Sequence, residues 1–272
     1  MRVLITNDDG IDAPGIRALA LAVRDHGGDV VVAAPAKEAS GSSAAISAVE
    51  EDGRVIVEER ELTGLDGVKA YAVAGSPSFI AILGLRGGFG KAPDLLLSGI
   101  NRGANAGYAV LHSGTVGAAL TAAEVGCRGL AVSLDVLTPA SATAASGGRA
   151  IAEIVADETS RHWETAAALA VGYVDKLSTL PARTVLNLNV PDLPSDRLAG
   201  VRRATLAQFG QVQMTVAEVG RGYVRMALTA DQGENDPEAD VVLLAQGYAT
   251  VTPIRSVTEA ADVDVPLIEV AR

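Results

Sequence analysis

The stretch Met1-Arg2-Val3-Leu4-Ile5-Thr6-Asn7-Asp8-Asp9-Gly10 passes from apolar residues at positions 1, 3, 4 and 5 straight into Asn-Asp-Asp-Gly. A short apolar run bounded by turn residues reads as a buried strand, here residues 2–6. Packing gives no reason for two adjacent carboxylates at its end. In an open parallel α/β sheet, ligands sit at the carboxyl ends of the strands. Two carboxylates there, beside an amide and a glycine turn, make an oxygen-rich site suited to a hard cation such as Mg²⁺ or Mn²⁺.

Outward from this stretch, Pro14 is suited to open an amphipathic helix over 15–26, and 29–35 is a second buried strand. Strand, helix and strand in one sheet imply a parallel pair with a right-handed crossover. Strands are expected over 54–59, 67–73, 94–98 and 130–134, and helices over 77–85 and 115–125. Residues 36–47 and 135–150 are rich in Ser, Ala, Thr and Gly and read as loops, the second a mobile one. A helix over 163–179 and a strand over 184–190 complete the alternation. The expected fold is α/β: a Rossmann-like, three-layer, doubly wound and mostly parallel sheet. After about residue 197 the character changes. Thr205–Val219 and Gly222–Thr229 flank Gly220-Arg221-Gly222 as a β-hairpin, Asp231–Asp240 is an acidic loop, and Val241–Leu244 and Ala249–Val251 read as short strands. Residues 200–255 are therefore expected as a projecting antiparallel arm. That divides the chain into a catalytic domain over 1–199 and an arm with its tail over 200–272. Exposed hairpin edges call for a partner, so a homo-oligomer is expected.

Of the 272 residues 49% are apolar and only 3% aromatic, so the core must be built from Val, Ile, Leu and Ala. The formal charge of -11 leaves no basic surface to displace counterions, which excludes a general binder of nucleic-acid polymers. A small anionic substrate stays compatible, because a bound cation inverts the local field. With Cys127 as the single cysteine, neither a disulfide within the chain nor a cysteine zinc site can form. The sequence opens on strand rather than leader, and no apolar run approaches about 18 residues. No membrane association and a cytoplasmic location are expected.

Four clusters in loops after expected strands carry the chemistry. The first is Asn7-Asp8-Asp9-Gly10, followed by Ala13-Pro14-Gly15. The second is Ser40-Gly41-Ser42. The third is Ser98-Gly99-Ile100-Asn101-Arg102-Gly103-Ala104-Asn105-Ala106-Gly107, where Asn101 offers a neutral oxygen ligand. Its glycine spacing is neither the dinucleotide fingerprint nor the P-loop. The fourth is His112-Ser113-Gly114-Thr115-Val116-Gly117, which opens a helix whose free N–H groups could hold a phosphate. His112 could donate to a phosphate oxygen or to a leaving group, or be a structural imidazole. His26 and His162 read as surface residues. Two carboxylates, an amide oxygen and a hydroxyl beside an anion-binding helix end are what hydrolysis of a phosphate monoester needs.

These residues resemble the SurE family of metal-dependent nucleoside monophosphate phosphatases (5′/3′-nucleotidases). The likeness runs through Asn7-Asp8-Asp9-Gly10 with Ala13-Pro14-Gly15-Ile16, Ala34-Pro35, Ser40-Gly41, Pro93-Asp94, Ser98-Gly99-Ile100-Asn101, Gly103, Asn105, Gly107 and Ser113-Gly114-Thr115-Val116. Later echoes are Ala131-Val132-Ser133-Leu134, Asn187-Leu188-Asn189-Val190-Pro191, Gly247-Tyr248 and Val251-Thr252-Pro253. The resemblance implies one divalent metal per subunit, Mg²⁺ or Mn²⁺, on Asp8, Asp9, Ser40 and Asn101. It implies a phosphate site at Asn7, Asn105, Ser113, Gly114 and Thr115. Asp8, Asp9, Asn101 and Ser113 become the expected catalytic group, with Asp8 as a base for an attacking water. It also implies an arm exchanged between subunits, giving a homodimer or homotetramer.

The chain departs from the family pattern at Ala36-Lys37, where an Asp-Arg pair is usual, and at Ala44-Ala45. Other departures are Gly75-Ser76-Pro77-Ser78-Phe79-Ile80, Thr121, and the tail after Thr252-Pro253. These changes fall on loops that would meet a nucleoside. The expected substrate is a small phosphorylated compound, a nucleoside monophosphate first. The alternatives are another phosphorylated metabolite on the same scaffold, or a non-catalytic anion-binding protein.

Overall fold

The computed structural model describes residues 1–136, 160–208, 212–230, 236–260 and 262–264. Its strands are β1 (Arg2–Thr6), β2 (Asp29–Pro35), β3 (Glu50–Glu51), β4 (Arg54–Val55), β5 (Val57–Arg60), β6 (Lys69–Val73) and β7 (Leu95–Arg102). They continue as β8 (Arg128–Asp135), β9 (Thr184–Pro191), β10 (Gly200–Arg203), β11 (Val212–Gly220), β12 (Tyr223–Ala230) and β13 (Tyr248–Arg255). The α-helices are α1 (Pro14–Asp25), α2 (Pro77–Leu85), α3 (Gly114–Glu124), α4 (Trp163–Leu177) and α5 (Asp240–Ala245).

Nine strands form one sheet in the order β10-β13-β9-β8-β7-β1-β2-β6-β5. The pairs from β9 through β6 are parallel. β5 and β13 pair antiparallel with β6 and β9. The strand order reverses at β1, whose neighbours β2 and β7 follow it in opposite directions across the sheet. Such a switch point opens a crevice at the carboxyl ends of the strands.

β1 is apolar throughout because both its faces are covered. Val3 and Ile5 join one core with α1 and α4, while Leu4 joins a second core with α2 and α3. Each fully buried Leu or Ile contributes about 1.5–3 kcal/mol relative to exposure. α1 starts on Pro14 and buries Ile16, Leu19, Ala20 and Val23, a helical spacing that makes one apolar stripe. α3 is built of small residues and buries Ala118, Ala119, Ala122 and Ala123 against the sheet. The layered α/β fold, with helices on both faces of a mostly parallel sheet, is the one expected.

Several local expectations need correction. Val241–Leu244 is not a strand but the middle of α5. Four consecutive apolar residues fit either element. Asp240 decides it by accepting the Val241 N–H at 2.9 Å, while Leu243 and Leu244 are buried. Residues 200–255 do not form one arm. β10 pairs parallel with β13, and β13 pairs with β9, so both extend the main sheet. The hairpin β11–β12 alone forms a separate antiparallel ribbon. The stretch 54–59 splits between β4, paired with β3, and β5, paired with β6. β7 runs on to Arg102 past an irregularity between Ser98 and Asn101, so Asn101 lies in a strand extension and not in a loop. Of the expected loop 135–150, Asp135 is instead the last residue of β8; residues 137–150, and residues 231–235 of the acidic loop, lie outside the described residues. Among the described residues no helix is long and apolar enough to cross a membrane.

Candidate active site

The site is built where β1 ends. The Asn7 amide donates to the Gly10 carbonyl at 2.8 Å and accepts the Gly10 N–H at 3.1 Å. Gly10 closes this turn at φ 102°, a conformation that an L side chain rarely adopts. The clasp turns Asp8 and Asp9 outward at the switch point. It also consumes Asn7, which is fully buried, so Asn7 is a turn residue and not the phosphate ligand expected.

A cavity of about 280 Å³ opens in front of the two acids, lined by Asp8, Asp9, Ser40, Asn101, Asn105, His112 and Ser113 among others. Seven residues singled out in the sequence thus meet in one place. Asp9 accepts the Arg102 N–H at 3.2 Å. The Asn101 amide nitrogen donates to Gly103 O at 2.8 Å, which leaves its oxygen for the cavity. Ser40 Oγ donates to Glu38 Oε1 at 2.6 Å, so its lone pairs stay available. The Thr115 hydroxyl donates to Asp8 Oδ1. In each case a protein group fixes one polar atom and so orients the ligand, as the surroundings of a metal site commonly do.

The start of α3 lies against the same acids. Ser113 caps the helix by accepting the Val116 N–H at 3.0 Å, and its residue lines the cavity. Gly114 and Thr115 lie behind it, buried and close against the Asp8 carboxylate. The helix end therefore packs against Asp8, with Ser113 facing the cavity in front of the two residues. Gly114 is needed for that approach, since a Cβ there would stand 2.7 Å from Asp8 Oδ2.

Burial drives the Asp9 carboxyl up to about 7, with the Asp8 charge as the next cause; the Arg102 N–H opposes it. Burial also raises Asp8, against the Thr115 hydroxyl and the backbone N–H donors. Two buried neighbouring acids that resist ionisation gain from a cation between them. The donors are carboxylate, amide and hydroxyl oxygens, the hard set that suits Mg²⁺ or Mn²⁺. Among the described residues no three His, Cys, Asp or Glu side chains surround one point, so the amide and the hydroxyl are needed to complete such a site.

Sequence reasoning missed several groups. Glu38 lines the same cavity two residues before Ser40. Asn105 is held by a cradle: its N–H donates to Asn189 Oδ1 at 2.8 Å and its amide to Ser133 Oγ at 2.9 Å. Its carbonyl accepts from Asn187 at 2.7 Å and Asn189 at 3.0 Å. Two asparagines at alternate positions of an otherwise apolar strand are a readable signal, because they share one face. His26 ends α1 and pairs with Asp175, and His162 pairs with Asp192, both away from the cavity. A larger apolar groove of about 690 Å³ lies between α4 and β13, far from these acids, so size does not locate the chemistry.

With this geometry in place, comparison with known proteins identifies the class. The family described as "Survival protein SurE" matches residues 3–213. The 5′/3′-nucleotidase SurE of Serratia proteamaculans is 33% identical over 260 residues, covering 94% of this chain and 90% of that protein. The 5′-nucleotidase SurE of Ectopseudomonas mendocina is 34% identical over 260 residues, covering 94% and 92%. The crystal structure of the SurE protein from Aquifex aeolicus superposes with a TM-score of 0.68 at 27% identity, covering 94% of this chain and 93% of that one. The chain belongs to the SurE family.

Proposed function

We propose that this protein is a divalent-cation-dependent phosphomonoesterase acting on nucleoside 5′- or 3′-monophosphates. One observation carries the reading: Asp8, Asp9, Ser40 and Asn101, from three separate segments of the chain, line a single cavity at the switch point of the sheet. Its relatives' names as nucleotidases support it.

Asp8, Asp9, Ser40 and Asn101 would hold one Mg²⁺ or Mn²⁺. When bound, that cation supplies positive charge against the phosphoryl oxygens and acidifies water. Asn105, Ser113 and His112 line the same cavity; they would orient the phosphoryl group, and His112 would donate toward the leaving oxygen. Asp8 would take a proton from the attacking water, with the Thr115 hydroxyl holding its carboxylate in place. The hairpin exposes Val216, Val219, Tyr223 and Val224, which favours an arm that meets another copy of the chain in a dimer or tetramer.

The test is phosphate release from nucleoside monophosphates with added Mn²⁺ or Mg²⁺. Activity abolished by a chelator and restored by either metal is expected. A protein that binds phosphate but releases none from any ester would support the non-catalytic alternative instead.

A further inference from the structure

A second cavity, about 590 Å³, adjoins the first and shares Ser40 with it. It lies beyond the ends of β2 and β6. Its lining is mixed: Pro35, Val49 and Val73 offer apolar surface, while Ser42, Ser47 and Lys37 offer hydroxyls and an ammonium. Apolar walls with a few placed polar groups are the usual make-up of a small-molecule site. Ser42 differs from the serines around it. Its Oγ is closed to solvent and has no hydrogen-bond partner among the described residues. The Ser76 hydroxyl, by contrast, donates to Ala45 O at 2.6 Å and accepts from the N–H groups of Ser47 and Phe79. The Ser43 hydroxyl donates to Leu111 O at 2.6 Å. The backbone of Ser42 is fixed: its N–H donates to Ala39 O at 3.2 Å, and its carbonyl accepts the Ala45 N–H at 3.0 Å. Its Oγ also lies beside the acid pair, since a Cβ added at Gly114 would stand 2.6 Å from it and 2.7 Å from Asp8 Oδ2.

We propose that this second cavity seats the nucleoside body of the substrate, and that Ser42 is a specificity residue whose hydroxyl pairs with a ribose hydroxyl. The proposal rests on the phosphomonoesterase reading above. Ser40 joins the two spaces, so an ester whose phosphoryl group lies beside Asp9 extends its organic part past Ser40 into the second. The sugar is the part next to the ester oxygen, and Ser42, beside Asp8, is at that same end. A buried hydroxyl left unpaired costs stability, and a ligand that supplies its partner recovers the cost as affinity. Rotation about one bond moves a serine hydroxyl between staggered wells, so Oγ can turn from its enclosed position onto a group in the cavity. The base then covers the apolar side, including Val49, which is 63% exposed. A deoxy sugar leaves Ser42 unpaired. A site built to bond a substrate hydroxyl discriminates against the analogue that lacks it.

The experiment measures kcat/KM of the Mn²⁺-loaded enzyme for methyl phosphate and two pairs of nucleotides. One pair is adenosine 5′-monophosphate with its 2′,3′-dideoxy analogue, the other adenosine 3′-monophosphate with its 2′-deoxy analogue. The ribose ester is expected to exceed its deoxy partner by about tenfold or more in at least one pair. Ser42→Ala should bring that ratio close to one, by raising KM for the ribose ester. Mn²⁺ binding without substrate, read by electron paramagnetic resonance, checks that the variant keeps its folded site. A merely structural role for Ser42 would slow both members of a pair alike and leave their ratio where it was, which overturns the assignment. So would equal rates within both pairs in the unaltered enzyme. Val49→Trp narrows the cavity from an exposed wall position and should lower the ratio of nucleotide to methyl phosphate about tenfold. An unchanged ratio there would take the nucleoside out of this cavity. Nucleotides hydrolysed without a ribose preference sink only this assignment, whereas no phosphate release from any of the five esters sinks the phosphomonoesterase reading itself.

Discussion

Asp8 and Asp9 at the end of β1, and Asp240 at the start of α5, are buried carboxylates whose pKa values are raised by burial, yet their surroundings differ. Asp240 spends both oxygens. One accepts the Gly107 N–H at 2.8 Å, and the other accepts those of Ala207 at 3.1 Å and Val241 at 2.9 Å. It is fully enclosed and pins the 3-10 helix Gly107–His112 to the root of the hairpin. Asp9 accepts one backbone N–H and faces a cavity. Burial alone does not mark a functional acid. Acceptor capacity left over and pointing into open space does.

The sharpest way to break this contrast is to remove the charge of Asp9. Asp9→Asn should lower phosphatase activity by about a thousandfold, since a cation contributes several kcal/mol to a phosphoryl-transfer barrier. Near-normal activity at limiting Mn²⁺ would place Asp9 with Asp240 among structural acids. The corresponding change at the other pole is Asp240→Ala. It leaves three buried N–H groups without an acceptor and should cost about 3 kcal/mol of stability. Urea unfolding measures it. The variant should still bind Mn²⁺, because no candidate metal ligand touches Asp240.

The acid pair also sets a pH dependence. Asp9 ionises at about 7 in the folded chain, above its ordinary 3.8. The folded state therefore holds a proton that the unfolded state has lost, so the metal-free protein loses stability as pH rises from about 4 toward 7. A cation must displace that proton. Mn²⁺ affinity should fall about tenfold per pH unit below 7, roughly a hundredfold by pH 5. Calorimetric titration reads it, and Asp9→Asn should flatten the profile. A flat profile in the unaltered chain would mean that Asp9 is not displaced by the metal.

The two regions also differ in how far the sequence disclosed them. Around β1 local and global signals agree: an apolar run, acids at its end, and a Pro-opened helix with one apolar stripe all point to one architecture. The C-terminal part lacks that agreement. Val241-Val242-Leu243-Leu244 carries no period, and what makes it a helix is Asp240 bonding to Gly107 and Ala207, contacts remote in sequence. β10 and β13 looked like arm strands because β13 joins the main sheet on β9 and β10 joins it on β13, and strand pairing is not written in either segment. Within the site, residue types pointed to the candidate ligands, but orientation came only from structure. Asn7 and Thr115 proved to be the groups that aim Asp8 and its turn, and Glu38 went unnoticed because it is exposed and beside a serine-rich loop.

Glu38 gives the smallest and finest test of the same comparison. It accepts the hydrogen bond of the Ser40 hydroxyl at 2.6 Å and thereby leaves the serine oxygen as an acceptor toward the cavity. It is to Ser40 what Thr115 is to Asp8, an aiming group rather than a ligand. Removing an aiming group commonly weakens metal affinity about tenfold. Glu38→Ala should therefore raise the Mn²⁺ dissociation constant about tenfold, read by electron paramagnetic resonance without substrate. Glu38→Gln retains an acceptor oxygen and should recover most of that loss. In a Ser40→Ala background, Glu38→Ala should add nothing, because the hydroxyl it aims is gone. If Glu38→Gln proved as damaging as Glu38→Ala, and the loss persisted without Ser40, then Glu38 would act through its own charge. It would then belong with Asp8 and Asp9 as a third acid facing the cation.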